Sequence, residues 1–138
     1  MRHLEANDFA AVAVALLALE AKSVAAHMKF SDFTVAMESV RRAANDGLAL
    51  IFGGYFVLLD KGPTWYSKRE FLIEQIVLKV HPNVHTWSLQ DVIKFLPKIA
   101  TWHGCCAVVT GDTQVGYMAQ QYATAGYHCL GNQFIMEV

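Results

Sequence analysis

The chain has 138 residues, of which 54% are hydrophobic and 17% charged, and this length suits one globular domain with a single core. Its eleven basic and twelve acidic residues are scattered and leave a formal net charge of −1, so no electrostatic footprint for nucleic acid or an anionic membrane is evident. The apolar run Phe9 to Leu19 is too short to span a bilayer, and Glu5 and Asp8 precede it where a secretory signal would carry positive charge. We therefore expect one domain, residues 1–138, that neither enters a membrane nor binds nucleic acid.

Apolar periods, capping residues and turn residues predict eleven elements along the chain. In order they are a strand (Met1 to Glu5), a helix (to about Ala26), a helix (to Asn45), three strands (Leu48 to Phe52, Tyr55 to Leu59, Phe71 to Val80), a helix (from Leu89), a strand (Cys105 to Val109), a helix (to Gly126) and two strands (Tyr127 to Leu130, Gln133 to Val138). This order predicts a mixed α/β domain whose central sheet of about six or seven strands is covered by helices on both faces.

Capping residues define where the helices begin. Asn7 or Asp8 is suited to cap the first helix, and Ser31-Asp32 and Ser88 to cap the second and third. Apolar residues nearly encircle the first helix, which indicates burial between the sheet and another helix, or against a second subunit in a homodimer or assembly. Pro97 lies within the third helix and predicts a kink or an early end, since proline lacks the N–H of a helical hydrogen bond.

Turn residues and apolar runs define the strands. Gly53-Gly54 is a two-residue connection typical of a tight antiparallel hairpin, and Lys61-Gly62-Pro63 predicts the following turn. Cys105 to Val109 is a continuous apolar run, as expected for a strand covered on both faces and joined to the strand Phe71 to Val80 by a parallel crossover. A terminal hairpin is predicted around Gly131-Asn132.

The cysteines and two of the histidines show no metal-binding or disulfide pattern. Cys105 and Cys106 are adjacent within an apolar run, and Cys129 lies alone near the C-terminus. We interpret all three as buried thiols of a protein kept in the reducing cytoplasm. His81 and His85 flank a proline-containing loop, but no acidic residue or cysteine lies close in sequence, and no metal site is predicted.

Two motifs in the second half carry a family resemblance. The long strand ends in Val80-His81-Pro82, and the last helix closes with Tyr122-Ala-Thr-Ala-Gly126-Tyr127 before the final strands. These motifs, and the order of the elements, resemble the GCN5-related N-acetyltransferases. The resemblance implies transfer of an acetyl group from acetyl-CoA to an amine, by direct attack in a ternary complex.

The resemblance also implies where acetyl-CoA would bind. In the family the strand matching Phe71 to Val80 diverges from the strand matching Cys105 to Val109, and the pantetheine arm pairs with backbone groups in the gap, here those of Val77, Leu78, Lys79 and Val80. The pyrophosphate loop would comprise His85, Thr86, Trp87 and Ser88. It lacks the family's glycines, which allow backbone N–H groups to approach phosphates closely, and the bulky side chain of Trp87 occupies space in it.

Glu74 and Tyr122 are the catalytic candidates that the resemblance implies. Tyr122 matches the tyrosine that often protonates the departing CoA thiolate, and the alternative is that Tyr122 and Tyr127 only pack the last helix onto the sheet. Glu74 lies on the strand where the family often keeps a carboxylate that accepts the amine proton through water. The alternative for Glu74 is an outward-facing residue paired with Lys68, Arg69 or another cation.

The competing interpretation is a non-catalytic protein with the same fold. Acetyltransferase-like domains that have lost the cofactor loop occur, including among small bacteriophage proteins, some of them virion components. The absence of loop glycines and the apolar first helix favour a binding or assembly role of this kind.

Overall fold

The computed structural model describes residues 1–25, 32–110 and 117–129. Its elements are, in order, β1 (Arg2–His3), α1 (Ala6–Ala25), α2 (Phe33–Asn45), β2 (Ala49–Phe52), β3 (Tyr55–Pro63), β4 (Glu70–Lys79), α3 (Leu89–Trp102), β5 (Val108–Val109) and α4 (Tyr117–Thr124). The predicted hairpin around Gly131-Asn132 lies outside the described residues. Up to α4 the order of helices and strands is the predicted one.

The sheet has five strands in the described ranges, against the six or seven predicted for the whole chain. They lie in the order β1-β2-β3-β4-β5, with antiparallel pairing from β1 to β4 and parallel pairing of β4 with β5. Helix α3 is the crossover between these two parallel strands. The prediction of a mixed α/β domain is confirmed.

The hairpin of β2 and β3 turns at Gly53-Gly54 as predicted, and Gly53 has the positive φ of +56° that favours glycine. The turn predicted at Lys61-Gly62-Pro63 is wrong. These three residues continue β3, where they pair with Leu72, Phe71 and Glu70 of β4. Proline is tolerated there because it is the last residue of the strand.

The helix starts follow local capping chemistry. The side chain of Asp32 accepts hydrogen bonds from the N–H groups of Thr34 and Val35 at 2.9 and 3.2 Å, as expected for a cap. Helix α1 begins earlier than predicted, at Ala6, so neither Asn7 nor Asp8 precedes it. Asp8 instead lies in the first turn and accepts a hydrogen bond from the Glu5 N–H at 2.8 Å.

The core lies on both faces of the sheet, because all four residues of β2 are buried. Helix α1 contributes the fully buried Val12, but Val14 and Leu17 on the same helix are 70% and 48% exposed. The described residues of this chain therefore do not enclose α1, contrary to burial between the sheet and another helix. In the described ranges, no helix combines the length and apolarity needed to cross a bilayer.

Helix α3 and strand β5 depart from their predicted bounds. The helix continues five residues past Pro97 to Trp102, so of the two predicted alternatives, a kink or an early end, the early end is wrong. The Cys105 N–H still bonds to the Ala100 carbonyl at the end of the helix, at 2.8 Å, and β5 is therefore only Val108–Val109. Because the chain has just left the helix here, Cys106 is exposed, and so is Cys129. The prediction that all three thiols are buried is wrong for these two.

Candidate active site

Among the described residues, one edge of β4 is paired over only part of its length. It pairs with β3 from end to end, whereas its pairing with β5, within the described residues, covers Leu72 and Ile73. Toward its end the Val80 N–H donates to the Gly54 carbonyl at 2.9 Å, so Val80 directs its backbone toward the hairpin. Because backbone direction alternates along a strand, Leu78 also faces β3, and the backbones of Val77 and Lys79 face the β5 side.

Glu74 lies next to a bulge in β4. Leu58 pairs with Ile76 and Leu59 with Glu74, so one extra residue, Gln75, interrupts the ladder. The Glu74 side chain shares a strand face with the fully buried Leu72 and is itself only 6% exposed. An outward-facing Glu74 paired with Lys68 or Arg69 is therefore excluded.

Tyr122 of α4 donates a hydrogen bond from its phenol to Oε2 of Glu74, and Tyr122 is also only 6% exposed. The structure thus brings together the two candidates that lie 48 residues apart in the sequence. A phenol and a carboxylate in direct contact, sheltered from water, form a pair between which a proton can move.

The Tyr122-x-x-x-Gly126-Tyr127 motif also has a local structural basis. The Tyr127 N–H bonds to the Tyr122 carbonyl at 3.0 Å and the Gly126 N–H to the Ala123 carbonyl at 3.1 Å. With φ of +91° at Gly126, this is the Schellman arrangement that ends a helix, and its usual side-chain contact is the packing of the two tyrosine rings at 5.5 Å between centroids. Both tyrosines therefore do pack α4, and the catalytic question rests on the contact with Glu74.

Tyr127 and Gln90 connect α4 to α3 through hydrogen bonds that the sequence did not predict. The Tyr127 phenol donates to the Ile93 carbonyl at 3.0 Å. Burial, together with the charge of Glu74, raises the pKa of Tyr127 to about 12. The Gln90 amide donates to the Gln121 backbone carbonyl at 2.8 Å and to its side-chain oxygen at 2.6 Å. Their partners lie more than thirty residues away, which no local pattern indicates.

The loop predicted to hold the pyrophosphate is packed against the β2–β3 hairpin. A Cβ on Gly53 would lie 2.5 Å from Thr86 Oγ1, and one on Gly54 would lie 2.5 Å from the His81 carbonyl oxygen. The Trp87 ring packs edge-on against Phe52, at 5.1 Å between centroids. Trp87 is thus part of an aromatic cluster, and His85 is exposed.

The start of α3 is occupied by its own cap. Ser88 Oγ donates to Asp91 Oδ2 at 2.7 Å and accepts from the Asp91 N–H at 3.1 Å, while the Ser88 N–H donates to the same carboxylate. These hydrogen bonds lower the pKa of Asp91, whose negative charge lies where a helix would otherwise attract an anion. An open pocket of about 380 Å³ lies alongside, lined by Thr86, Trp87, Asp91, Lys94 and Phe95.

A second buried carboxylate, Asp8, contacts Arg2, His81 and the Glu5 N–H. Arg2 donates to both of its oxygens at 2.5 and 3.0 Å, and His81 Nε2 lies 2.8 Å from Oδ1. The Arg2 guanidinium is the main cause that holds the pKa of Asp8 well below its usual range. This cluster joins the N-terminus to the end of β4, and the described residues contain no group of three side chains suited to a metal ion.

Comparison with known proteins bears on the fold. The chain is similar to the crystal structure of a probable acetyltransferase, with a TM-score of 0.61 and 10% identity over 98% of this chain and 95% of that one. It is also similar to an acetyltransferase of Trypanosoma brucei, with a TM-score of 0.56 and 15% identity over 99% and 97% of the two chains. No protein-family model matches the sequence, and neither does any curated protein sequence. Together with the sheet order and the bulge in β4, these comparisons show that the chain has the fold of the acetyltransferases.

Proposed function

We propose that the protein is an N-acyltransferase that moves an acetyl group from acetyl-CoA to an amine within a ternary complex. The observation that carries this proposal is the buried hydrogen bond between Tyr122 and Glu74, beside the part of β4 whose backbone faces away from β3. The fold shared with acetyltransferases is consistent with it but does not by itself name an activity. The exposed thiol of Cys106 fits a cytoplasmic location.

Glu74 is the general base and Tyr122 the general acid in this proposal. Glu74 accepts the proton that the amine nitrogen loses as it bonds to the acyl carbon, and Tyr122 donates a proton to the sulfur as the carbon–sulfur bond breaks. Acetyl-CoA supplies the thioester carbonyl. One N–C bond forms, one C–S bond breaks, and one proton passes from nitrogen to sulfur, so no oxidant or metal is required.

The contact between the two residues gives these proton transfers an order. While Glu74 is a carboxylate, it accepts the hydrogen bond of the Tyr122 phenol. Once Glu74 carries the amine proton, it can donate to the phenol oxygen, and Tyr122 is released to protonate the sulfur. The pair then returns to its starting state when the proton on Glu74 moves to Tyr122.

Two parts of acetyl-CoA would contact the protein, the pantetheine arm and the pyrophosphate, and the structure suits the first better than the second. The backbones of Val77 and Lys79 suit the amide groups of a pantetheine arm, because they face the β5 side of β4. The pyrophosphate end fits less well, since Ser88 and Asp91 cap α3 with each other. There we expect Lys94 and Thr86, which line the open pocket, to contact the phosphates in place of a glycine-rich loop.

A second candidate function is binding or assembly without catalysis, in which case the fold is a scaffold. It is favoured by the same cap, because the Asp91 carboxylate repels an anion at the start of α3. The packing of Thr86 and His81 against two glycines also leaves that loop little freedom to rearrange around phosphates.

A transfer assay on matched variants tests the proposed chemistry. The full chain is incubated with acetyl-CoA and amines of several classes, and acetylated product is measured by mass, because the exposed Cys106 thiol would consume a thiol reagent. We expect Tyr122→Phe and Glu74→Gln each to lower kcat by about 10²- to 10⁴-fold, the usual contribution of general acid–base catalysis. The double variant should lose little more than either single one, because the two residues act as a unit.

The controls make the same chemical changes on exposed residues of the loop after β3 and of β4. Tyr66→Phe and Glu70→Gln remove an exposed phenol hydroxyl and an exposed carboxylate, and both should leave kcat unchanged. Retention of the wild-type rate by Tyr122→Phe or by Glu74→Gln would remove that residue from the mechanism.

A further inference from the structure

Pro97 leaves an acceptor free inside α3. The helix runs through Pro97, which has no N–H, so the carbonyl of Ile93 four residues earlier receives no hydrogen bond from that position. Ile93 is fully buried, and an unsatisfied buried carbonyl costs about 1–3 kcal/mol. The Tyr127 phenol fills this vacancy with its hydrogen bond of 3.0 Å.

Tyr127 is in turn fixed relative to Tyr122. Its N–H bonds to the Tyr122 carbonyl, and its ring packs on the Tyr122 ring at an interplanar angle of 50°. On the other side of Tyr122, Gln121 receives two hydrogen bonds from Gln90 of α3. Helix α4 has only eight residues, and these contacts join it to α3 on either side of Tyr122.

We propose that Tyr127 is a positioning residue that holds the Tyr122 phenol on Glu74, and that Pro97 makes this possible by leaving the Ile93 carbonyl to it. The inference rests on the proposed function for its catalytic consequence, but the geometric part stands apart from it. Because the pKa of Tyr127 is raised to about 12, its phenol keeps the proton that it donates throughout the physiological pH range. Tyr127 itself touches no reacting atom.

The test follows Tyr122 directly, without acetyl-CoA. Tyrosine labelled with ¹³C at Cζ is incorporated into the full chain, and the Tyr122 resonance is assigned from its loss in Tyr122→Phe. In Tyr127→Phe, which keeps the ring and removes the donor, we expect the Tyr122 resonance to move by more than it does in the control Tyr66→Phe. Where transfer activity is present, kcat should fall about 10- to 100-fold with KM for acetyl-CoA unchanged, as expected for a misplaced catalytic group.

Pro97→Ala is the second variant and protects the test against misfolding of the first. It keeps every tyrosine and gives Ile93 a helical N–H partner, so Tyr127 must compete for the carbonyl, and the Tyr122 resonance should shift in the same direction as in Tyr127→Phe. An unchanged Tyr122 resonance in either folded variant overturns the inference and leaves the proposed function standing. A shifted resonance in a protein that neither binds nor uses acetyl-CoA supports the positioning role and rejects the proposed function.

Discussion

Asp8 and Glu74 are two buried carboxylates that the chain stabilises in different ways. Asp8 is surrounded by the Arg2 guanidinium, the His81 ring and the Glu5 N–H, so all its partners favour a fixed negative charge. Glu74 is bonded to a neutral phenol instead. A carboxylate paired with a weak acid can exchange a proton with it, whereas one paired with a guanidinium cannot, which is why we assign chemistry to Glu74 and a structural role to Asp8.

Replacement of Asp8 by asparagine tests the structural role. We expect Asp8→Asn to destabilise the fold at neutral pH by about 1–3 kcal/mol, because charge-assisted hydrogen bonds to a buried group are lost. The folded pKa of Asp8 lies below its unfolded value of about 3.9, so its contribution is fully present above that pH and is lost as the pH falls through the folded pKa. Thermal unfolding measured from pH 7 to pH 2 should therefore show that the difference in Tm between wild type and Asp8→Asn becomes smaller as the pH falls.

The control for this prediction is Asp60→Asn, which alters an exposed aspartate and should leave the pH profile of the wild type. A gap between wild type and Asp8→Asn that stays constant down to pH 2 would contradict the assignment of the pH-dependent stability to Asp8.

At the residue scale, the sequence indicated which residues were catalytic candidates better than it indicated which residues they contact. Tyr122 and Glu74 were singled out through motif position, yet Glu74 was also open to an outward orientation, because alternation alone does not say which strand face is buried. Asp8 and His81 lie 73 residues apart, and neither has a neighbour in sequence that points to the other. Such contacts depend on how β1, α1 and β4 meet, which only the tertiary structure sets.

At the scale of elements, the β2–β3 hairpin and the loop after β4 form one unit. The hairpin needs glycine at position 53 for its positive φ, and at position 54 for lack of space, since a Cβ there would meet the carbonyl oxygens of His81 and Val84 at 2.5 and 2.6 Å. This close approach lets Lys79 reach the Val84 carbonyl at 2.7 Å. The loop is thereby packed tightly against the hairpin.

A pair of glycine substitutions measures that contact. We expect Gly54→Ala to destabilise the fold by about 1–3 kcal/mol, because neither backbone carbonyl can move without breaking the loop. Gly62→Ala, within β3, should be neutral or stabilising by up to about 1 kcal/mol, since its Cβ would meet no atom within 4 Å. The midpoints of unfolding in urea are compared for the two variants. Equal midpoints would contradict a tight contact between Gly54 and the loop after β4.

Elements were predicted well where their signals are local. The caps at Asp32 and Ser88 and the turn at Gly53-Gly54 depend on neighbouring residues, and the structure has all three where predicted. The continuation of β3 through Lys61 to Pro63 was not predicted, because it depends on pairing with β4. At Pro97 the sequence left a kink or an early end open, and it could not decide between them because a partner distant in sequence, Tyr127, bonds to the carbonyl that proline leaves free.

At the scale of the whole molecule, two features of the fold point in opposite directions. The sheet order, the bulge beside Glu74 and the backbone of Val77 and Lys79 suit the proposed acyltransferase site, and the fold is shared with an acetyltransferase and a probable acetyltransferase. The sequence from His85 to Ser88 has no glycine, its loop is packed against the hairpin, and Ser88 and Asp91 cap the start of α3. These features disfavour binding of the phosphates of acetyl-CoA. Whether the native protein binds acetyl-CoA decides between catalysis and a scaffold role.

Thermal unfolding of the full chain with and without acetyl-CoA measures this directly, without knowledge of the acceptor amine. A ligand that binds only the native state at about 100 times its Kd adds about 2.7 kcal/mol, which should raise the Tm by several degrees. Adenosine 3′,5′-bisphosphate, which lacks the pantetheine arm, should raise it less, because the backbone of β4 would have nothing to pair with. A Tm unchanged by millimolar acetyl-CoA would contradict the proposed acetyltransferase function and favour the scaffold role.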